Sequence, residues 1–261
     1  MRYVYLFIWL IFLGSCEGIL NLEVIGDGNS VSRVRHNLAP FSEIEFYDAF
    51  ELEIRHSDQQ DKQEVRVQAD SNLLRYIVTE VNGDRLIIQR LSNYDLFPRQ
   101  PIKVIVLTPD ISIIDVYGNG LVFLDSLEVG GLELNVYSRA TVKMRGLKVD
   151  DFSVLSNSGG NLQMDGQFEH LVFRQAGSGH ASLAGSANKK SKVIQEGSGI
   201  VNALDFFSDS IEVSLFGSGL VYYNSVAYSS VTINGSGRVY YSGSETPNSI
   251  SIEGGGRLYK H

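Results

Sequence analysis

From residue 111 onward, apolar residues fall into two columns that repeat about every 20 positions. Ile114, Leu134, Val154, Phe173, Val193, Val213, Val231 and Ile250 form the first column. The second holds Val122, Val142, Leu162, Ala181, Val201, Val221, Val239 and Leu258. Between them stand eight triplets of small residues that start at Gly118, Ser138, Ser158, Gly177, Gly197, Gly217, Gly235 and Gly254, with successive starts 20, 20, 19, 20, 20, 18 and 19 residues apart. Within a unit the second column continues two positions on, at Leu124, Met144, Met164, Leu183 and Ala203, while Lys143, Gln163, Ser182 and Asn202 lie between. A spacing of two marks a strand with alternate residues inward. A period near 20 is too short for a βα unit, and a fixed period signals stacked repeats. The pattern therefore predicts an all-β parallel β-helix in which each strand pairs with its equivalent in neighbouring coils.

The triplets, four of them Gly-Ser-Gly, read as corners where glycine supplies positive φ and close backbone approach. A second turn is predicted six residues past each triplet, at Ser126, Gly146, Gly166, Gly185, Asp205, Ser225 and Gly243. Ser156, Gln175 and Gln195 interrupt an apolar column that includes Val116, Val136, Leu215, Ile233 and Ile252. Stacked side-chain amides bonded to one another inside the coil are the expectation there.

Residues 38–110 lack the triplets but alternate in the same way, as in Ile44 and Phe46, Leu52 and Ile54, Leu86 and Ile88, and Val104 and Val106. Asp70-Ser71-Asn72 ahead of Leu73 and Leu74 predicts a capped helical turn. An open β-helix end exposes core and strand edges, so this segment reads as an N-terminal β-rich cap with the first coils. The regular repeats fill 111–261, and 38–261 is expected to form one domain.

Phe41-Ser42-Glu43-Ile44, Phe50-Glu51-Leu52-Glu53-Ile54, the run Val65 to Leu74 and Ile77-Val78-Thr79-Glu80-Val81 precede the serial Gly-Ser-Gly turns. Together these residues resemble the head GIN domain family of autotransporter-adhesin-like exported proteins. The resemblance covers roughly 38–258. It implies a right-handed β-helix, related in shape to pectin-lyase and acyltransferase folds but without their catalytic residues, and a role in adhesion.

The N-terminus adds a different signal. Arg2 precedes the apolar run Val4 to Leu13, about half the length that spans a bilayer, and Gly14-Ser15-Cys16 follows. Leu13-Gly14-Ser15-Cys16 resembles a bacterial lipobox. Residues 1–15 are expected to be a lipoprotein signal peptide, with Cys16 lipidated as the mature N-terminus and 16–37 a tether. The expected location is the cell envelope, at the outer membrane. With one cysteine in the chain no internal disulfide can form, so packing and hydrogen-bonded ladders carry stability. The formal charge of −8 argues against a nucleic-acid partner.

Candidate chemistry is sparse. Asp165, Glu169, Asp205, Asp209 and Glu212 share no column and read as a solvated face, not as the facing carboxylate pair of a glycosidase. His36, His56, His170, His180 and His261 have no metal-ligand spacing. No catalytic residue, metal site or cofactor is assigned. One surface feature remains: Tyr222, Tyr240 and Tyr259 occupy the same outward position in three successive coils. They are either a ladder that stabilises the end of the stack or a strip that contacts a glycan or an envelope or host protein. The sequence thus favours a non-enzymatic, lipid-anchored envelope protein that presents a rigid surface. A carbohydrate-active enzyme and a structural component that forms homo-oligomers are the alternatives.

Overall fold

A computed structural model describes residues 21–57, 59, 62–157, 159–224, 227–243 and 246–261. The repeats form a parallel β-helix of about seven turns with coils about 20 residues apart. Ile114 pairs with Leu134, Val122 with Val142, and Val201 with Val221, so each apolar column becomes a stack along the axis. Both columns are buried through most of their length and belong to one continuous core. The pattern ends at the last coil, where Ile250 is 51% and Ile252 43% exposed and Leu258 only partly buried.

The corner chemistry explains the triplets. Gly197 has φ 106° and Gly217 φ 115°, a region that a side chain makes strained. The Gly197 carbonyl accepts hydrogen bonds from the backbone N–H of both Ser218 and Gly219, at 3.0 and 2.9 Å. A Cβ on Gly217 would lie 2.7 Å from the Gly197 carbonyl oxygen, and one on Gly219 would lie 2.6 Å from the Gly199 oxygen. The first and third positions are thus closed to larger residues, while the middle serine is free to project. The irregular triplet Ser138-Arg139-Ala140 closes its corner by other means. Ser138 donates its hydroxyl to the Gly118 carbonyl at 2.6 Å, and Asn119 Oδ1 accepts the Arg139 N–H at 2.9 Å.

Three expectations are corrected. First, the second turn does not always break the strand. Continuous strands run Thr141–Ser156, Asn161–Gly177, His180–Gly197 and Ile200–Gly217. Register shifts between Met144 and Leu147, Phe168 and His170, and Ser182 and Ala184 mark where they bend. A bulge turns the strand without ending its pairing. Ser126, Gly146, Gly185 and Gly243 do take positive φ, and Ser225 lies outside the described residues.

Second, the buried amides do not bond to one another. Gln175 and Gln195 are paired in register, yet Gln175 Nε2 donates to the Gly179 carbonyl at 2.5 Å. Gln195 Nε2 reaches the carbonyls of Gly177 and Glu196 at 3.5 and 3.4 Å. The corner glycines have no side chains to cover their carbonyls, so the amides reach the Gly177 and Gly179 oxygens and share them with backbone N–H donors.

Third, the described part of the expected tether, residues 21–37, carries two strands. Within 16–37, Leu22–Ile25 pairs in parallel with Tyr94–Phe97, and Ser30–Arg35 pairs antiparallel with Glu64–Asp70. Asp70, Ser71 and Asn72 hold this segment rather than capping a helix. Asn72 accepts the Asp27 N–H and donates to the Ile25 carbonyl, and buried Asp70 accepts the Arg99 N–H at 2.7 Å. The following turn is a single 3-10 turn, Leu74–Tyr76, without a side-chain cap.

The cap also orders the stack unexpectedly. Glu43–Phe46 pairs in parallel with Ile113–Val116 on one side and with Arg85–Arg90 on the other. Glu51–His56 likewise lies between Leu121–Asp125 and Lys103–Thr108. The terminal coil is therefore built from residues 85–108, beneath the coil of residues 43–56. Antiparallel pairing of Ile77–Asn82 with Arg85–Arg90, and of Glu64–Asp70 with Lys103–Thr108, covers its edges.

Candidate functional site

Parallel pairing of Leu220–Asn224, Arg238–Ser242 and Arg257–Lys260 brings Tyr222, Tyr240 and Tyr259 into line. Ring centroids are 4.9 Å apart for Tyr222 and Tyr240 and 5.2 Å for Tyr240 and Tyr259, with interplanar angles of 12° and 19°. Each ring is half-buried. Stacked at this spacing, the rings cover one another's faces and leave their edges to solvent. The alternation of the strand sends Tyr223 and Tyr241 the other way, into the core. Burial pushes the Tyr223 phenol up to about 12, and its hydroxyl meets the Ser229 hydroxyl at 3.4 Å. Cys16 lies outside the described residues.

A second ladder was not anticipated. Tyr47, Tyr117 and Tyr137 stack with centroids 4.9 and 5.0 Å apart and planes within 12°. They are more open than the first set, at 42%, 41% and 42% exposed. Tyr117 and Tyr137 each stand directly before a triplet, a signal present in the sequence. Tyr47 joins them only because Glu43–Phe46 stacks on Ile113–Val116, which the residues 57–112 between them conceal. Burial, and then a 2.8 Å hydrogen bond from its hydroxyl to Glu45, push the Tyr47 phenol up to about 12. Burial and the nearby Asp115 raise Tyr117. The Tyr47 and Tyr117 phenols are thus neutral donors at physiological pH.

Around the corner from this ladder lies an open cleft of about 520 Å³. Phe50, Leu96, Pro98 and Ile102 supply its apolar lining, and Asp48, Glu51, Arg90, Asn119 and Thr141 its polar groups. Asp48 accepts the Arg90 backbone N–H at 2.5 Å, and its other oxygen meets the guanidinium at 3.3 Å, with Asp95 equally near Arg90. Asp48 directly follows Tyr47, and Asn119 stands two residues past Tyr117, so ladder and cleft share one corner.

The acids singled out in the repeats are dispersed. Asp165, Asp205 and Asp209 are exposed, Glu169 pairs with Lys189 at 2.5 Å, and Glu212 with Lys192 at 2.7 Å. The hydrogen bond and charge of Lys192 hold the Glu212 carboxyl below the usual range, as in a solvated ion pair. His170 meets Asp151 at 2.9 Å. Among the described residues no group of three or more His, Cys, Asp and Glu side chains could hold a metal ion. No helix among them is long and apolar enough to cross a membrane.

A model of the family described as "Putative auto-transporter adhesin, head GIN domain" matches residues 40–244. The chain belongs to the head GIN family. Among solved structures, it is similar to one from Parabacteroides distasonis described as a putative lipid binding protein, at 26% identity and a TM-score of 0.80, covering 92% of this chain and 99% of that one. It shares its fold with a putative adhesin from Parabacteroides merdae, at 17% identity, TM-score 0.76 and coverage of 92% and 99%. A second putative adhesin from P. distasonis gives 21% identity, TM-score 0.74 and coverage of 92% and 100%. No curated protein matches the chain. The head GIN match and these neighbours are adhesin-like or binding proteins, and such membership goes with an extracellular or envelope-associated protein.

Proposed function

We propose that this head GIN protein is a non-enzymatic, lipid-anchored component of the cell envelope whose β-helical surface binds a glycan or an envelope or host protein in adhesion. The observation that carries this reading is the set of stacked tyrosines held in register on a continuous wall of parallel strands. Rings fixed in this way lose little further freedom on binding, and aromatic clusters at a surface favour recognition. Family membership and the adhesin-like neighbours support the same reading. Its test is a binding screen of the full chain against glycan panels and envelope extracts, repeated with Tyr222→Ser, Tyr240→Ser and Tyr259→Ser combined. Loss of binding by a folded triple variant is the expected result. Retained binding beside a lowered melting temperature would make this ladder purely structural.

A second reading rests on the last coil, where Ile250 and Ile252 are exposed side by side on one strand. Self-association through that face would cover them. Mass measurement in solution checks this, with Ile252→Glu expected to yield monomer.

A further inference from the structure

We propose that the corner bearing Tyr47, Tyr117 and Tyr137 is a second recognition surface, and that its ligand is an uncharged linear glycan lying along the axis of the β-helix. The proposal rests on the reading of this protein as a non-catalytic adhesive surface and concerns a site distinct from the Tyr222 ladder.

Continuing the strand register by one residue at each end of the ladder extends it to Gln89 below Tyr47 and Asn157 above Tyr137. The result is a row of five side chains, amide, phenol, phenol, phenol, amide, none of which carries a formal charge. Each can both donate and accept hydrogen bonds. The phenols repeat every 4.9–5.0 Å, a spacing comparable to one pyranose ring along an extended glycan. A polyhydroxylated chain offers hydroxyls and apolar ring faces at the same interval, which suits a row of phenol edges and amides.

Charge selects among ligands. The acidic groups beside the row are already engaged: Glu43 and Glu45 with Arg85, and Asp115 with Asn135 at 3.0 Å. Among the described residues lining the adjoining cleft the one cation, Arg90, is shared by Asp48 and Asp95, and Glu51 adds a further negative charge. Among the described residues lining the cleft no free cation awaits a carboxylate, sulfate or phosphate, so anionic glycans and lipid headgroups fit poorly within it; Arg139, exposed two residues past Tyr137, lies outside that lining. The cleft instead joins planar polar groups to the apolar faces of Phe50 and Pro98, a combination suited to a terminal or branching sugar ring.

Calorimetry on the full chain in detergent, with cellohexaose, xylohexaose and mannohexaose as neutral probes and polygalacturonate as the anionic one, tests the assignment. Saturable binding of at least one neutral probe is expected. Tyr117→Ala should weaken it about tenfold or more, the usual effect of truncating an aromatic anchor. Thr141→Arg, which crowds the cleft, should also weaken it. Phe207→Ser, which removes an exposed ring elsewhere, should leave it unchanged. If Tyr117→Ala lowers the melting temperature, Tyr117→Phe keeps the ring and tests the hydroxyl alone, again with weakened binding expected. The inference is overturned if no neutral probe binds, if polygalacturonate binds more tightly, or if the Tyr117 and Thr141 variants bind as the parent does. Binding of fibronectin or laminin with no oligosaccharide bound would also overturn it, while leaving the adhesive reading intact. Absence of binding to every surface and probe would remove both.

Discussion

Val201 and Asn202 are neighbours in the chain and opposites in environment. Val201 is fully buried in the stack, whereas Asn202 is exposed and accepts the Leu204 N–H at 3.2 Å. Val201→Asp would set a charge among apolar side chains with no partner, and chemical denaturation should register a loss of about 4 kcal/mol or more. Asn202→Asp keeps an acceptor in place and should stay within about 0.5 kcal/mol. Equal effects would mean that the inward face is assigned out of phase. A second residue reports on pH. Burial pushes the Glu53 carboxyl up, but hydrogen bonds from Lys103 and Arg55 and their charges outweigh it, holding Glu53 below the usual carboxylate range. A depressed folded-state pKa adds stability above the unfolded value, which is lost as pH falls through the folded one. Glu53→Gln should therefore cost about 1–3 kcal/mol near pH 7, and the gap from the parent should narrow progressively in melts as pH falls below the usual carboxylate range of about 4. The inward columns were legible in the sequence because strand alternation maps directly onto burial. The partners of Gln195 and Asp70 were not, because each depends on which backbone groups the fold brings within reach.

At the scale of elements, corner and ladder differ in what they tolerate. Gly217→Ala would need a strained φ and would press a methyl against the Gly197 carbonyl, so a loss of more than about 1 kcal/mol is expected. Ser218→Ala, at the projecting middle position, should melt like the parent. Equal melting temperatures for the two would remove the stacking explanation of the triplets. Each tyrosine of the Tyr222 ladder contributes only about 0.2–1 kcal/mol through its cross-strand contacts. The triple serine variant should therefore remain folded, which is what makes it a usable test of binding. The regular coils could be read from the sequence because their corner chemistry recurs at a fixed interval. Strands Leu22–Ile25 and Ser30–Arg35 could not, since they pair with segments tens of residues away and carry weak alternation of their own. The Tyr47–Tyr117–Tyr137 ladder was half legible, as two tyrosines one period apart, and its third member required the fold.

For the whole molecule, the proposed anchor is separable from the β-helix. Cys16→Ser should abolish lipid labelling and release the protein from the membrane fraction, while the purified variant melts as the parent does. Two or more acyl chains exceed what reversible membrane binding requires, so release should be nearly complete. Membrane retention in the variant, with no label on the parent, would remove the lipoprotein assignment. The family was legible from the serial turns with the early strands, whereas no residue pattern in the chain identifies a ligand. The coil order has a consequence for how the molecule is made. Residues 43–56 leave the ribosome, or cross a membrane, before residues 85–108, yet rest upon them in the finished structure. The strands of residues 43–56 must therefore wait, one edge unsatisfied, until about 50 more residues have arrived to form the floor beneath them. From residue 113 onward every strand meets a completed template as it emerges. Biogenesis thus divides into one slow, non-local closure and a rapid winding that follows it, and the interval before closure is when a chaperone or a second unfinished chain could capture the exposed edge.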